Sequence, residues 1–600
     1  MAAAAGPVPR GARRRLGFAS AGVLLGAADT YVVVVALPAI MTSVGVDLAH
    51  LQQATPIITG FLLGYVAVLP LLGRLSDLYG RAPVLTACLV VFAGGSLLTA
   101  SANTLGAVVV GRTLQGAGGG GLVPVTLALV ADLWPPHRRG VPLGVVAGVQ
   151  ELGSVAGPLY GAALTAASTW RAIFYVNLPL AVAVAAGVRT RRRPRSTDSP
   201  APRRDLPGAA LAALCAVATV LAVSTPPALA DDVTAGAAFA PLLGGAAITA
   251  PISLLAVLSG LALVLRELTV PATVRALIPM RGFARGTGRV DWAGGVLVAL
   301  VLACIVVAFA TADPQQGVVG AAAPVLLPAA AVLAVLFVLR ERSIPDPLVD
   351  LRALRDRAAL GSLAANLAVG AALMAALVDI PVFARVTVAA DSQVGAALVL
   401  GRLLVAVPLG AVLGGALVGR LGHRAVAGAG MLLAAAMFTV MAGWNGTALD
   451  DPLAGQRWLH ATDLVLVGCG LGFGLAIVPV TAAMLGAVPQ RVHGVAASLT
   501  VAARMVGMLT GLALLTAIGL RRFASVQATL PGPASLCPSA PLHCPAYDSL
   551  VTGAVLDELH VIFLGAAACA ALAAAVAVVA LRGPGDGDAG GRRLLEVGMA

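Results

Sequence analysis

The sequence predicts an all-α polytopic membrane protein in which two homologous six-helix halves are joined by four connecting helices. The first reason is composition: 59% of the 600 residues are hydrophobic and 11% are charged, with a mean hydropathy of +0.95. Soluble domains carry about 25% charged residues. The second reason is continuity, because the apolar runs extend over about 18 or more residues, long enough for helices to cross a bilayer. A β-barrel would instead show short alternating segments.

The third reason is an internal repeat that relates residues 111–161 to residues 466–511. Both segments have the pattern of two glycine-rich helices joined by a short turn. A repeat in the same chain direction is typical of transporters built from two parallel halves. Six glycines recur at a shift of 354 residues and one tetrapeptide at a shift of 355, in these pairs: Gly116 and Gly470, Gly118 and Gly472, Gly120 and Gly474, Gly140 and Gly494, Gly153 and Gly507, Gly157 and Gly511, and Val123–Thr126 with Val478–Thr481.

The first half is predicted to cover residues 16–189, after a cytoplasmic tail at 1–15. This tail ends in three arginines, which orient the N-terminus to the cytoplasm by the positive-inside rule. A cleavable signal peptide is the competing interpretation, but the first apolar run continues past Asp29 to Met41, too long for a signal peptide. The five further helices are expected at about 52–73, 83–101, 105–131, 140–166 and 172–189.

The middle of the chain is predicted to begin with a basic cytoplasmic linker at 190–206, rich in arginine, proline and serine. Four connecting helices follow within 207–340, arranged as two hairpins. Each hairpin begins with Asp-x-x-Gly, at Asp205–Gly208 and Asp291–Gly294, which indicates a duplication. The four helices are expected at about 207–224, 240–265, 292–311 and 321–339.

The second half is predicted to cover residues 359–582, after a cytoplasmic loop at 341–358. An even number of spans, sixteen in total, returns the tail at 583–600 to the cytoplasm. One long outer loop, at 521–557, precedes the last helix. The six helices are expected at about 359–387, 394–419, 425–444, 461–487, 493–520 and 558–581.

The charge pattern excludes several functions. All 39 basic residues are arginine, so the lysine of a GxxxxGK[ST] phosphate-binding loop does not occur, and ATP is not expected to supply the energy. Most arginines fall in loops assigned to the cytoplasm, so the net charge of +12 reflects membrane orientation and not nucleic-acid binding. Neither GxSxG nor HExxH occurs, and no filter-like segment interrupts a helix. We therefore expect a transporter without cofactor or metal, and neither an enzyme nor a channel.

The seven cysteines form two groups. Cys537 and Cys544 share the proline-rich outer loop, where an oxidising compartment favours a disulfide. A local zinc site with His543 and a pair of free thiols are the alternatives. The remaining five lie in apolar helices and are expected to be packing residues: Cys88, Cys215, Cys304, Cys469 and Cys569.

Ionisable residues inside the apolar helices are candidate functional residues, because such a charge costs about 2.5–3.5 kcal/mol on insertion scales. Asp29 lies near the middle of helix one, and Glu151 lies well inside helix five. Each is a candidate proton carrier, the alternative being a carboxylate bonded to neighbouring helices. Arg504 and Arg112 cannot lose their charge and are candidate counter-ions, with a static pair as the alternative. Which acid pairs with which arginine stays open.

Three further ionisable residues lie nearer the predicted helix ends. Asp379, Asp463 and Arg402 are as compatible with an interfacial position as with a functional one. Asp379 and Asp463 are the second choice for proton coupling.

Several motifs together resemble the major facilitator superfamily. Gly73–Arg81 (GRLSDLYGR) is similar to its loop signature GxLaDrxGr, Arg112–Gly116 (RTLQG) to its fourth-helix motif, and Gly153–Gly161 (GSVAGPLYG) to the antiporter motif of helix five. Asp29–Pro38 and Trp170–Pro179 resemble signatures of the proton-driven drug exporters with fourteen helices.

Other segments, among them LLGYVAVLPLLGRLSD and ARMVGMLTG, resemble the branch of mycobacterial triacylglyceride exporters that work with a lipid-carrying lipoprotein. The resemblance ends in the middle of the chain, where this protein has four connecting helices instead of two. It implies a proton-coupled secondary exporter of hydrophobic, triacylglyceride-like lipids from the inner membrane by alternating access. A broad-specificity multidrug:proton antiporter, with efflux and drug resistance as its role, is the alternative. The implied partners are protons, the substrate, membrane lipids and a periplasmic lipoprotein.

The resemblance also implies roles for two motifs. Gly73, Asp77, Gly80 and Arg81 would latch a cytoplasmic gate, although Leu78 replaces the usual arginine and a tight solvated turn is the alternative. In helix five the small residues would allow bending and close packing. These are Gly153, Gly157, Pro158 and Gly161.

Overall fold

The structure of the protein is a computed structural model. It describes residues 11–47, 51–188, 203–232, 234–242, 249–270, 274–275, 290–311, 319–388, 392–449, 452–453, 456–537 and 543–581. Most of the predicted linker at 190–206, most of the segment at 266–289 between the two predicted hairpins and the tail at 583–600 lie outside these residues.

The described part of the first half forms six helices. Gly80, with a φ of 91°, turns α2 into α3, a conformation that favours glycine. A Cβ at Gly116 would lie 2.1 Å from the carbonyl oxygen of Phe61, so α4 packs backbone to backbone on α2. The six are α1 (Ala12–Ser43), α2 (Leu51–Ala67, continuing after a 40° bend as Leu69–Tyr79), α3 (Arg81–Ser101), α4 (Leu105–Gly119, continuing as Leu122–Leu133), α5 (Gly140–Ala167) and α6 (Trp170–Val188).

The middle segment forms two helical hairpins, composed of α7 (Leu206–Ser224) with α8 (Pro251–Thr269), and α9 (Trp292–Ala310) with α10 (Ala323–Ser343). The helix predicted at 240–265 starts later, because Pro251 occupies the first turn, where proline is favoured.

Both hairpins close with the same ion pair. Arg266 lies 2.7 Å from Asp205, and Arg340 lies 2.7 Å from Asp291. Each aspartate immediately precedes the first helix of its hairpin, and each arginine lies near the end of the second. The Arg266 guanidinium holds the pKa of Asp205 below its usual range. The repeated contact is what a duplicated hairpin would retain.

The described residues of the second half again form six long helices. A continuous helical segment, Gln393–Met441, is divided at Gly422, whose φ of 79° is not helical. The six are α11 (Arg357–Thr387), α12 (393–421), α13 (423–441), α14 (Ala461–Ala487), α15 (His493–Gln527) and α16 (Pro545–Ala580).

These helices confirm the predicted all-α membrane fold. Thirteen of the described helices are long and apolar enough to cross a membrane, and the bent α2 makes a fourteenth. The break at Gly422 divides one of them into two spans, and α5, 28 residues long, packs between α1 and α12. Counted in this way, and with α5 included, the described helices number sixteen, in the predicted order of six, four and six.

The outer loop predicted at 521–557 is shorter in the structure than expected. α15 continues to Gln527 and α16 already begins at Pro545, so the non-spanning helix ends are longer than expected and the connection is shorter. The 35 residues of α15 measure about 52 Å, well beyond a hydrocarbon core of about 30 Å. No proline interrupts the chain between 493 and 530, and Arg522 pairs with Asp557 at 2.9 Å between the two extensions.

Short elements complete the described part of the chain. Strand β1 (Arg203–Arg204) pairs in parallel with β2 (Val274–Arg275), and β3 (Pro452–Leu453) pairs antiparallel with β4 (Gln456–His460). Single helical turns lie at Pro136–Arg138, Pro227–Ala230, Gly236–Ala238, Ala353–Arg355, Gln490–Val492 and Pro533–Leu536.

The two halves meet closely at one end of the molecule, here called the gate end, where Gly80 joins α2 to α3. A Cβ at Gly140 of α5 would lie 1.9 Å from the carbonyl oxygen of Gly415 in α12, and one at Gly73 would lie 2.6 Å from that of Gly494 in α15. These pairs leave no room for side chains between the halves. The gate end is therefore closed in this conformation.

Away from the gate end, α5 and α15 pack within their own halves. A Cβ at Gly157 would lie 2.3 Å from the carbonyl oxygen of Ala28 in α1, and one at Gly511 would lie 2.4 Å from Cα of Ala371 in α11. Of the connecting helices, α9 lies against both α2 and α15, and α7 lies against α3. The second hairpin thus covers one seam between the halves.

Candidate functional site: a central cavity and two buried ion pairs

A cavity of about 210 Å³ lies between the two halves. Its walls come from α1, α2, α4 and α5 of the first half and from α11 and α15 of the second. Most of the lining side chains are apolar, such as Phe61, Leu373 and Met505. Glu151 and Arg504 are the charged residues among those that line it.

Glu151 and Arg504 form an ion pair across the cavity. Their side chains are 7% and 6% exposed, and Arg504 Nη1 lies 3.9 Å from Glu151 Oε1. At this distance the contact is electrostatic and not a hydrogen bond. Since Glu151 belongs to α5 and Arg504 to α15, the pair joins the two halves. The repeat explains the placement, because Glu151 and Arg504 occupy nearly equivalent turns of equivalent helices.

Asp29 and Arg112 form the second ion pair, entirely within the first half. Arg112 Nη1 donates to Asp29 Oδ2 at 2.5 Å, and the side chains are 1% and 0% exposed. Gln115 and Asn177 each donate to Asp29 Oδ1 at 2.8 Å. The guanidinium also lies over the Phe61 ring, 4.3 Å from its centroid. This carboxylate is thus fully hydrogen-bonded and lies outside the cavity lining.

The gate-end motif holds the halves together through Asp77. Its Oδ1 and Oδ2 accept hydrogen bonds from the backbone N–H groups of Gly494 and Val495, at 2.8 and 3.0 Å. A carboxylate is favourable there because the N-terminus of a helix, here α15, carries partial positive charge. Arg81 donates to Asp77 at 2.5 Å and to Asp132 at 2.9 Å. Gly73 and Asp77 lie in the helical extension of α2, and not in a loop.

The glycines of the helix-five motif line the contact between α5 and α1. A Cβ at Gly153 would lie 2.8 Å from the carbonyl oxygen of Leu24, and one at Gly161 would lie 2.4 Å from Val32 Cγ2. Together with Gly157 they allow α1 to approach α5 closely. Pro158 lies inside the helix, between Gly157 and Gly161.

The remaining candidates lie in the second half, away from the Glu151–Arg504 pair. Arg402 of α12 pairs with Asp463, which also accepts from the backbone N–H of His460 at the start of α14. Asp379 is buried in α11, with Glu558 of α16 as its charged neighbour. In the remaining loop, the structure joins Cys537 and Cys544 in a disulfide. Within the described ranges, no group of three or more His, Cys, Asp and Glu side chains is arranged to hold a metal ion.

The sequence reasoning missed Asn177 and Asp132. Asn177 lies within Trp170–Pro179, one of the segments that carried the resemblance. Asn177 was an amide in an otherwise apolar helix, which already signals a buried hydrogen-bonding role. Asp132 follows a long apolar run and was indistinguishable from an ordinary helix-end charge.

Comparison with known proteins places this architecture in a family. The model of the Major Facilitator Superfamily matches residues 19–258. A triacylglyceride transporter of Mycolicibacterium hassiacum is 36% identical over 520 residues, which cover 86% of this chain and 81% of that protein. The chain belongs to the major facilitator superfamily.

Further relatives of this facilitator carry the same description. The triacylglyceride transporter of Mycolicibacterium smegmatis is 38% identical over 515 residues, covering 85% of this chain and 76% of its own. That of Mycobacterium tuberculosis is 35% identical over 537 residues, covering 88% and 87%. Among solved structures, the human organic anion transporter MFSD10 aligns with 92% of this chain and 99% of its own, at 15% identity and a TM-score of 0.49.

Proposed function

We propose that this facilitator is a proton-coupled secondary exporter of hydrophobic, triacylglyceride-like lipids, and that it works by alternating access. The observation that carries the proposal is the Glu151–Arg504 pair, an acid and a base on opposite halves that face one apolar cavity. The apolar walls suit lipid chains, and the relatives named triacylglyceride transporters support that substrate class.

The orientation follows from the arginines. Arg81, Arg139 and Arg491 lie at or next to the close contacts of the gate end, so the positive-inside rule favours a cytoplasmic gate end in a protein of the inner membrane. The closed gate end then makes this conformation the outward-facing one. Single cysteines at Arg420 and Ser535, in a background without the native free cysteines, test this assignment. Impermeant reagent should label the Ser535 position from outside and the Arg420 position only after permeabilisation.

Proton transfer at Glu151 supplies the switch. From the outside Glu151 takes a proton, becomes neutral and releases Arg504, which weakens the attraction between the halves and lets them rock toward the inward-facing state. Release of the proton to the cytoplasm restores the carboxylate and its pair with Arg504, and the return carries substrate outward. One proton moving down 100 mV contributes about 2.3 kcal/mol, roughly a 50-fold bias.

Transport in liposomes tests substrate and coupling together. The purified protein is reconstituted with labelled triacylglyceride or with a cationic dye, and an inward proton gradient is imposed. Lipid movement that depends on the gradient is the expected result. Dye movement without lipid movement would assign the protein to the multidrug antiporters. Lipid movement at a rate that does not depend on the gradient would contradict proton coupling.

An acceptor outside the membrane completes the proposal, because a triacylglyceride does not dissolve in water. A lipid-carrying lipoprotein of the kind implied by the resemblance would fill that role. Added to the outer side of the liposomes, it should increase the rate of lipid release. An unchanged rate would remove it from the proposal without affecting proton coupling.

A further inference from the structure

A second, smaller chamber lies on the gate side of Arg504. Its volume is about 20 Å³, and Arg504 and Gln150 line both this chamber and the central cavity. A volume of about 10–15 Å³ is enough for one water molecule when polar partners surround it. The polar partners here are Arg504, Gln150, Asn366, Thr481 and Thr500.

Three of these side chains present hydrogen-bond acceptors. The Thr481 hydroxyl donates to Ile477 O and the Thr500 hydroxyl to Ala496 O, both at 2.8 Å, and Asn366 Nδ2 donates to Ser362 O at 3.0 Å. Because each hydroxyl hydrogen is already engaged along its own helix, the oxygens remain as acceptors. The Asn366 amide oxygen is an acceptor as well.

Arg504 is the donor that matches them. Its guanidinium carries five N–H groups, yet within the described part of the chain its polar contact is the 3.9 Å approach to Glu151. The other titratable groups that face the pair are Tyr31 of α1 and Tyr65 of α2, neutral phenols that line the same cavity. When Glu151 takes a proton, Arg504 therefore has no other counter-ion at the cavity, and a buried charge without partners is strongly unfavourable.

We propose that Asn366, Thr481 and Thr500, through one water in the chamber, hold the Arg504 guanidinium whenever Glu151 is protonated. This inference rests on the proposed function and assigns the three residues as positioning residues for its proton switch. Removing their oxygens would destabilise the state in which Arg504 is unpaired. Glu151 would then bind its proton more weakly, and protonation would require a lower pH.

The test is the pH dependence of substrate exchange in liposomes at equal pH on both sides. We expect Thr481→Val with Thr500→Val to move the midpoint about one pH unit toward acid, a roughly tenfold weaker proton binding, which is the scale of one lost hydrogen bond to a charged group. Thr500→Ser, which keeps the hydroxyl, should retain the wild-type midpoint. Asn366→Leu should move it in the same direction as the double variant.

Thr126→Val is the matched control. Thr126 is the repeat counterpart of Thr481, is buried and donates to Leu122 O at 2.6 Å, but it does not line the chamber. Thermal unfolding checks that each variant is folded. A folded double variant with the wild-type midpoint, or an equal shift from Thr126→Val, would overturn the inference. If Glu151→Gln keeps the wild-type pH dependence, the proposed proton switch itself is wrong, and the inference is overturned with it.

Discussion

The two buried ion pairs of this protein are built differently. Asp29 and Arg112 lie in the same half, 2.5 Å apart, and Gln115 and Asn177 complete the hydrogen bonds of the carboxylate. Glu151 and Arg504 lie in opposite halves, 3.9 Å apart, at the wall of a cavity. Burial alone does not separate the two pairs, because all four side chains are at most 7% exposed.

The difference indicates which pair can switch. Neutralising Asp29 would leave the Arg112 charge buried in a network that lies within one half. Neutralising Glu151 would release a contact between the halves, and the side chains of the second chamber would then be available to Arg504. The first pair is therefore expected to stabilise the fold and the second to respond to protons.

The largest expected effect is on stability. Asp29→Asn leaves the Arg112 charge buried and unpaired, and we expect it to lower the free energy of unfolding by about 3–5 kcal/mol. Denaturation in detergent measures this. Replacing both residues, with Asp29→Leu and Arg112→Met, should recover most of the loss. If that folded double variant transports normally, Asp29 is structural; if it is folded but uncoupled, Asp29 also carries protons and the contrast between the two pairs fails.

Glu151→Gln should have the next largest effect, on coupling. The amide cannot carry the proton, so gradient-driven transport should lose the roughly 50-fold bias that one proton provides at 100 mV. Because Asn366, Thr481 and Thr500 are proposed to hold Arg504 when Glu151 is neutral, the loss of stability should be smaller than that of Asp29→Asn. Ser154→Ala, which alters a neutral neighbour at the same cavity, should transport normally. Retained coupling in the Gln variant would direct the search to Asp379 or Asp463.

Gly415→Ala should change the conformation at the Glu151–Arg504 pair and leave the Asp29–Arg112 pair unchanged. Its Cβ would lie 2.2 Å from the carbonyl oxygen of Gly140, and such overpacking costs about 1–3 kcal/mol. The gate end should then open, moving Glu151 relative to Arg504 but leaving the Asp29 network intact. Spin labels at Arg138 and Arg420 report the gate distance. Gly419→Ala, at a position with open space around it, should keep the wild-type distance; an equal change would reject the steric explanation.

The smallest effects concern arginine geometry. Arg112 uses its planar fork to bond Asp29 and Gln115 while stacking on Phe61, so Arg112→Lys should cost about 1–3 kcal/mol of stability. While Glu151 is ionised, Arg504 meets it through charge without a hydrogen bond, so Arg504→Lys should stay within about 1 kcal/mol of wild type at neutral pH. Unfolding curves of the two variants compare them directly. Equal losses would show that both pairs depend on the same geometry.

Much of the architecture was predictable because it is encoded locally. Uninterrupted apolar runs require helices in a bilayer, since each backbone polar group must find its partner inside its own segment. The repeated glycines showed where two equivalent helix pairs would lie. Asp29, Glu151, Arg112 and Arg504 stood out because charge is rare in such runs. These conclusions need no knowledge of which helices touch.

Only the tertiary structure decided how these residues combine. Asp29 and Arg112 are 83 residues apart in the chain, and Glu151 and Arg504 belong to different halves, so no local pattern could assign the partners. Nor could it show that Asn177 completes the Asp29 network or that α15 and α16 extend past the membrane. A hydropathy pattern records the environment of one segment at a time. Pair distances, hydrogen-bond satisfaction and the cavity depend on the packing of helices from distant parts of the chain.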